Sequence, residues 1–259
     1  MTIEELFKSF SAKKVTVLLN SGNRGDGLIH LGGRALLDKY KVDYTEIEFP
    51  QEASGDSLFL YGCGGFCLWH NHNVDRVNFY KEKFKYIYVL PASFDLSCDK
   101  VRQFIINLPE KVILYCRERG SFEQIMEQVT KKENVFLDKD LAFYVDYAKW
   151  EKKGWGSLFA FRADKEARFS PVVLGFLRWL TRFFRFITVD DISRGPHTDE
   201  EAILKIVSKY RKVFTDRAHV AIAASMLGKE TYLYTNKYHK MRGIFEYSLS
   251  SMPNVKLVK

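Results

Sequence analysis

The stretch 215-TDRAH-219 sets an arginine and a histidine one residue apart, directly before 220-VAIAASML-227, which is small and apolar throughout. A helix of that second composition must be buried. Asp216 reads as its N-cap, which puts Arg217, Ala218 and His219 in the first turn. A buried helix that opens with Arg and His calls for something anionic at that end. The positive end of the helix dipole favours an anion there, and a neutral, proton-accepting imidazole. A second cationic group lies at 117-RERGS-121, where Arg117 and Arg119 flank Glu118. A guanidinium fork matches phosphate and carboxylate geometry. Ser121 and Gln124 read as a capping box for the helix that follows.

Two glycine-rich stretches complete the set. In 20-NSGNRGD-26 and the following Gly27, glycines at 22, 25 and 27 would let backbone approach a ligand closely. Asp26 is placed to cap the next helix, whose free N–H groups attract anions. The stretch is neither a dinucleotide fingerprint nor a phosphate-binding P-loop, since no G-K-[ST] follows. In 62-GCGGFCLWHNH-72, Gly64 and Gly65 again open the backbone. Cys63, Cys67, His70 and His72 are spaced C-x3-C-x2-H-x-H, unlike a structural zinc site, in which a long loop separates two ligand pairs. No metal is expected there, and His70 and His72 are read as partners for sugar hydroxyls.

Each of these stretches follows a short apolar run that reads as a β-strand. Strands are expected at 15–19, 44–49, 58–62, 86–90, 112–116 and 134–137, with helices at 26–40, 74–84, 99–108 and 121–132 between them. The second half continues with strands at 157–163, 186–190, 212–215 and 231–235. Its expected helices span 171–186, 198–210 (opened by a Thr198/Glu201 capping box), 217–228 and 237–249. Strands apolar on consecutive positions are buried on both faces of a parallel sheet, and regular alternation with helices gives a doubly wound α/β fold. Ligands of such sheets bind at the C-terminal strand ends, where the unusual residues gather. The polar segment 146-DYAKWEKKGWG-156 divides the chain into domains at 1–148 and 149–259.

The 259 residues suffice for two such domains. With 40 Lys and Arg against 32 Asp and Glu the chain carries +8, which favours anionic partners. No nucleic-acid motif accompanies the charge. The start, MTIEELFKSF, does not read as a secretory signal, and no apolar run reaches the roughly 18 residues needed to span a bilayer. A cytoplasmic protein with reduced cysteines is therefore expected. One stretch, 177-LRWLTRFFRF-186 with its flanks at 171–187, is both apolar and cationic. On a helix Arg178, Arg182 and Arg185 would share a face able to lie peripherally on an inner membrane surface.

Taken in order, 20-NSGNRGD-26, 62-GCGG-65, 117-RERGS-121, 215-TDRAH-219 and 228-GKETYLYTNKYHKMRG-243 resemble the motifs of the polysaccharide pyruvyl transferases. The resemblance runs over about residues 20–245. Cys63 and Glu230 depart from it, standing where the family often has Gly and Pro. The resemblance implies a GT-B-like architecture of two Rossmann-like domains facing a central cleft, with the donor held mainly by the second domain. The last helix of that domain could pack back on the first. The implied activity is transfer of pyruvate from phosphoenolpyruvate onto two hydroxyls of a sugar, forming a cyclic ketal in a glycan or lipid-linked glycan. Phosphoenolpyruvate is then a co-substrate, and no cofactor is implied. On that reading His219 and Arg217 are catalytic. Arg117, Arg217, Ala218, Ser121 and Lys240 lie on the donor side. Asn23, Asp26, Gly64, Gly65, His70, His72 and Glu118 lie on the acceptor side. Two other readings remain. A glycosyltransferase on the same architecture would use a nucleotide sugar and need an acid to grip a ribose, for which Asp190 and Asp191 are the nearest candidates. A non-catalytic sugar- or anion-binding module would not depend on His219.

Overall fold

The structure, a computed structural model, describes residues 1–163, 169–181, 186–235 and 239–258. The chain divides into two compact units, Met1–Ser21 with Ile29–Tyr144 and Gly22–Leu28 with Val145–Lys259. The second unit thus begins at 145, near the polar segment, and takes the glycine-rich loop at 22–28 with it.

In the first unit β1 (Lys14–Leu18), β2 (Asp43–Ile47), β3 (Gly55–Leu60), β4 (Phe84–Ala92), β5 (Val112–Cys116) and β6 (Val135–Leu137) form one sheet in the order β2-β1-β3-β4-β5-β6. Every pairing is parallel. The helices are α1 (Ile3–Ser9), α2 (Arg24–Lys39), α3 (His72–Tyr80), α4 (Asp99–Ile106) and α5 (Arg119–Gln128). Apolar clusters fill both sheet faces: Leu58, Ile87, Leu114, Val77 and Ile105 belong to one, Phe7, Val17, Phe59, Leu37 and Tyr115 to the other. Successive side chains point to opposite faces, so a run such as Val112–Cys116 supplies both layers at once.

In the second unit β7 (Ser157–Ala160), β8 (Ile187–Val189), β9 (Lys212–Thr215), β10 (Glu230–Tyr234) and β11 (Val255–Val258) form a second parallel sheet, ordered β11-β10-β9-β7-β8. Its helices are α6 (Pro171–Leu180), α7 (Ala202–Val207), α8 (Ala218–Met226) and α9 (His239–Ile244), the last running into a π turn at Phe245–Leu249. Phe159, Phe214 and Tyr232 stack across β7, β9 and β10 with ring centroids 4.5 and 4.6 Å apart. From Val220 to Ala224 helix α8 is wholly buried, as its composition requires. It ends at Gly228, whose φ of +66° is the left-handed closing turn that glycine tolerates best.

Both sheets share one winding. The strand order reverses between β1 and β3 in the first unit and between β7 and β9 in the second. Such reversal points open a crevice beyond the carboxyl ends of the strands.

Helix starts differ from the sequence reading. Glu118, not Ser121, is the N-cap of α5: its carboxylate accepts the Ser121 N–H at 2.9 Å. Helix α7 begins at Ala202 with no side-chain cap, so the Thr198/Glu201 box does not form. Glu201 instead pairs with Lys149 and Lys205, each at 3.2 Å. The N-cap of α8 is Arg217 rather than Asp216. Helix α6 ends at Leu180; Arg182 and Arg185 lie outside the described residues, as do residues 237 and 238 at the start of the last expected helix.

Candidate functional site

In the second unit the reversal between β7 and β9 is closed by side chains that tie the two strand ends together. Thr215 donates its hydroxyl to the Ala160 carbonyl at 2.7 Å and accepts the Arg217 N–H at 3.0 Å. Asp216, fully buried, accepts the Arg162 N–H at 2.8 Å. The Asp216 carboxylate thus reaches across the crevice, and the N-cap position of α8 falls to Arg217. Arg217 follows at the mouth of α8, half-buried. Its guanidinium donates to both oxygens of Asp191, Nη2 to Oδ2 at 2.6 Å and Nε to Oδ1 at 3.2 Å. Asp191 comes from the end of β8, is buried, also accepts the Ala163 N–H at 3.0 Å and has Arg194 at 3.7 Å. Ala218 is buried in the first turn of α8, and His219 beside it is half-buried.

The loop at 22–28 docks on this same unit. The Asn23 side chain accepts the Gly25 N–H at 2.7 Å, while Asp26 reaches back to the Asn23 N–H at 2.9 Å, a reciprocal cap on α2. A side chain at Gly22 would overlap the Asp26 carboxylate. At Gly25 a Cβ would lie 2.5 Å from His219 Nδ1, and at Gly27 2.6 Å from the His197 carbonyl oxygen. Arg24 pairs with Asp199 at 2.9 Å, and Asn23 bridges Pro196. The sequence reading gave these glycines to a ligand. In the structure they make room for His219 and for the segment 197–200. Asp26, buried by its cap, is not presented as an acceptor contact, whereas Asn23 is exposed.

The first unit holds two buried polar clusters at its strand ends. Beyond β1 and β3, Arg76 of α3 donates Nη2 to the Ser21 hydroxyl at 2.9 Å and Nη1 to the Asn73 side-chain Oδ1 at 3.0 Å, and also reaches the Asn20 side chain. Asn20 donates to Cys63 Sγ at 2.7 Å, and the Gly65 N–H approaches the same sulfur at 3.1 Å. Beyond β4 and β5, Arg117 is 1% exposed and donates to Asp140 at 2.6 Å and to Ser93 at 2.8 Å. Ser121 accepts the Phe94 N–H at 2.8 Å and donates to Glu118, both residues being fully buried.

Four assignments change as a result. Arg117 is the inner half of a buried ion pair, so it is no longer counted as a donor contact. Ser121 and Glu118 fasten the start of α5 to the end of β4, and are no longer counted as donor and acceptor contacts respectively. Gly65 is packed against the Asn73 amide, leaving Gly64 half-buried beside it with its carbonyl taken by the Cys67 thiol at 2.7 Å. His70 is exposed and His72, the first residue of α3, half-buried, with rings 6.5 Å apart. Lys240 lies half-buried in α9. Among the described residues no group of three or more His, Cys, Asp or Glu side chains is placed to hold a metal ion.

Two residues take parts that the sequence does not assign to them. Arg76 was signalled only by a charge amid Val74, Val77 and Tyr80 on a buried helical face. Asp191, expected as a ribose grip, is buried instead, with Arg217 donating to both of its carboxylate oxygens. Asp190 is exposed and pairs with Arg178 at 3.2 Å.

A family model described as Polysaccharide pyruvyl transferase matches residues 23–238, most of the chain. The chain belongs to the polysaccharide pyruvyl transferase family. The match includes the loop beginning at Asn23, 62-GCGG-65, 117-RERGS-121 and 215-TDRAH-219, and with them β3 of the first reversal and both strands, β7 and β9, of the second. Among solved structures, a functionally uncharacterized protein from Klebsiella pneumoniae is 25% identical over 99% of this chain and 96% of its own, with a TM-score of 0.81. The S. aureus MnaA–UDP co-structure is 9% identical over 88% of this chain and 80% of that one, with a TM-score of 0.53. A UDP-N-acetylglucosamine 2-epimerase is 11% identical over 90% and 81%, with a TM-score of 0.52. The last two likenesses are of fold alone, and they make the two parallel α/β sheets of this pyruvyl transferase family member GT-B-like. No curated protein matches the chain.

Proposed function

We propose that this transferase moves pyruvate from phosphoenolpyruvate onto two hydroxyls of a sugar in a surface polysaccharide or its precursor, forming a cyclic ketal. The observation that carries the reading is the pairing of Arg217, held in place by Asp191, with His219 on the first turn of a buried helix, at the strand reversal of a sheet that belongs to this family. Phosphoenolpyruvate bears a phosphate and a carboxylate on neighbouring atoms, and a guanidinium at a helix N-terminus suits such an anion. In the proposed reaction the methylene carbon of the donor gains a proton and the oxygen of one sugar hydroxyl bonds to the central carbon. The bond from that carbon to the phosphate oxygen breaks as the second hydroxyl closes the ring. Two hydroxyl protons are lost: one balances the new methyl group, the other leaves on phosphate. His219 serves the proton transfer and Arg217 the departing phosphate. Lys240 and Ala218 remain on the donor side, and Asn23, Gly64, His70 and His72 on the acceptor side. The test is incubation with phosphoenolpyruvate and candidate glycosides, following phosphate release. His219→Ala should fold normally and lose turnover; a fully active variant would reject the role.

The same reading places the protein in the cytoplasm, at the inner membrane face. No helix among the described residues is long and apolar enough to cross a membrane. Helix α6, however, leaves Val172 80%, Phe176 58% and Trp179 52% exposed on one face. Arg178 is tied to Asp190, so it is not part of a free basic face. The surrounding sequence 168–189 nevertheless contains four arginines and no acid. An anionic lipid surface complements that charge, and Trp and Phe favour the bilayer interface. A second copy of the chain would set like charges against each other. Flotation with phosphatidylglycerol vesicles should capture the wild type and lose the Phe176→Ser/Trp179→Ser variant. Equal capture of both, or a dimer abolished by the same changes, would refute the lipid contact.

A further inference from the structure

We infer that Asp191 is a positioning residue of the transfer reaction, fixing the plane and reach of the Arg217 guanidinium toward the donor anion; this rests on the function proposed above. A long arginine side chain at the mouth of a helix has many rotamers, and ordering it alone is costly. Asp191 removes that freedom by engaging both Nε and Nη2, a fork geometry a lysine or a single contact could not supply. The carboxylate is itself immobile. It is 2% exposed, its Oδ2 accepts the Ala163 backbone N–H at 3.0 Å, and Arg194 stands 3.7 Å away.

The loop that carries Asp191 also holds the other half of the site. Two residues on, the Ser193 carbonyl accepts the Arg24 N–H at 3.3 Å, and further along the loop Asp199 pairs with the Arg24 side chain at 2.9 Å. His197 Nδ1 lies 3.4 Å from the Gly22 N–H. The segment 22–28, whose Gly25 backs onto His219, is therefore anchored to the same β8–α7 loop that orients Arg217. One loop thus fixes the guanidinium directly and the imidazole's neighbour at second hand.

The test compares wild type with Asp191→Asn and Asp191→Glu in the full chain. Asn keeps an oxygen for the Ala163 N–H, so the fold should persist, but it offers an amide N–H where Arg217 needs an acceptor. Asp191→Asn is expected to raise the KM for phosphoenolpyruvate on the order of 10- to 100-fold, the range typical of misplaced binding groups. The KM for the sugar should stay unchanged. Asp191→Glu should recover part of the loss. A merely structural role would lower the active fraction and leave both KM values alone, and that result would overturn the inference. A second readout needs no turnover: the Arg217 Nε–H resonance should exchange slowly with water in the wild type and rapidly in Asp191→Asn. Fast exchange in the wild type would show that Asp191 does not hold the guanidinium, whatever the substrate. Slow exchange in an enzyme that does not turn over phosphoenolpyruvate would instead defeat the proposed function, and with it any part for Asp191 in the transfer.

Discussion

Gly25 sets how closely the 22–28 loop can approach His219. An added methyl there would sit 2.5 Å from the imidazole Nδ1 and 2.9 Å from the Asn23 side-chain Oδ1, so either the ring or the capping side chain must move. Gly25→Ala should therefore cost about 1–3 kcal/mol of stability, as overpacking does, and most of the activity. Urea unfolding and kcat measured side by side would check both, and an alanine variant with wild-type kcat would show that the imidazole has room to spare. Arg117 makes a different point. Its cationic type was legible in 117-RERGS-121, but its fate was not, because the partner Asp140 lies 23 residues away on another element. Strand-end arginines that meet a ligand and those that meet a buried carboxylate look alike in sequence. Breaking such a pair is expected to be severe: Asp140→Ala should lower stability by about 3–5 kcal/mol in urea titration. A loss below about 1 kcal/mol would place Arg117 in water rather than in the core. Asp191 and Arg217 were both visible residues, and only the fold brought them together.

At the scale of elements, the parallel strands were readable because most, such as Val112–Cys116, are apolar on consecutive positions, a pattern few other structures need. Helix starts were less so. A Ser or Thr followed three residues later by Glu or Gln marks a cap only when its side chains have no better partner. Glu201 had one in Lys149 and Lys205, while Ser121 had one in Phe94 and Glu118. Helix α1 and strand β11 were missed: the first is a single amphipathic stretch of seven residues capped by Thr2 and Glu5, the second a four-residue edge strand. Lys229, which begins the link from α8 to β10, was read only as part of a motif. Its ammonium is buried and donates to the carbonyls of Ser208, at 3.1 Å, and Lys152, tying α7 and the interdomain segment to the start of β10. Burial holds its pKa below the ordinary lysine range. Between that lowered value and the ordinary one of about 10.4, the unfolded chain binds more protons than the folded one, so this residue makes stability rise with pH. The stability of wild type relative to Lys229→Met should accordingly rise as pH climbs through that alkaline window. A pH-independent difference would mean that Lys229 is solvated.

For the molecule as a whole, two sheets wound in the same order each open a crevice where their strand order reverses, and polar side chains collect at both. Alternating strands and helices made that architecture legible from sequence, and the family match extends across both units. The +8 charge favours anionic partners and says nothing finer. Which residues of each crevice are buried supports and which remain accessible could be learned only from packing, since Arg76, Arg117 and Arg217 carry the same charge at comparable strand ends. The donor decides the function. Mass spectrometry of a glycoside acceptor incubated with the full chain and phosphoenolpyruvate should find a carboxyethylidene ketal formed in equal amount to released phosphate, with neither product in the Arg217→Ala variant. Phosphate released without ketal, or a sugar transferred from a nucleotide donor in its place, would contradict it.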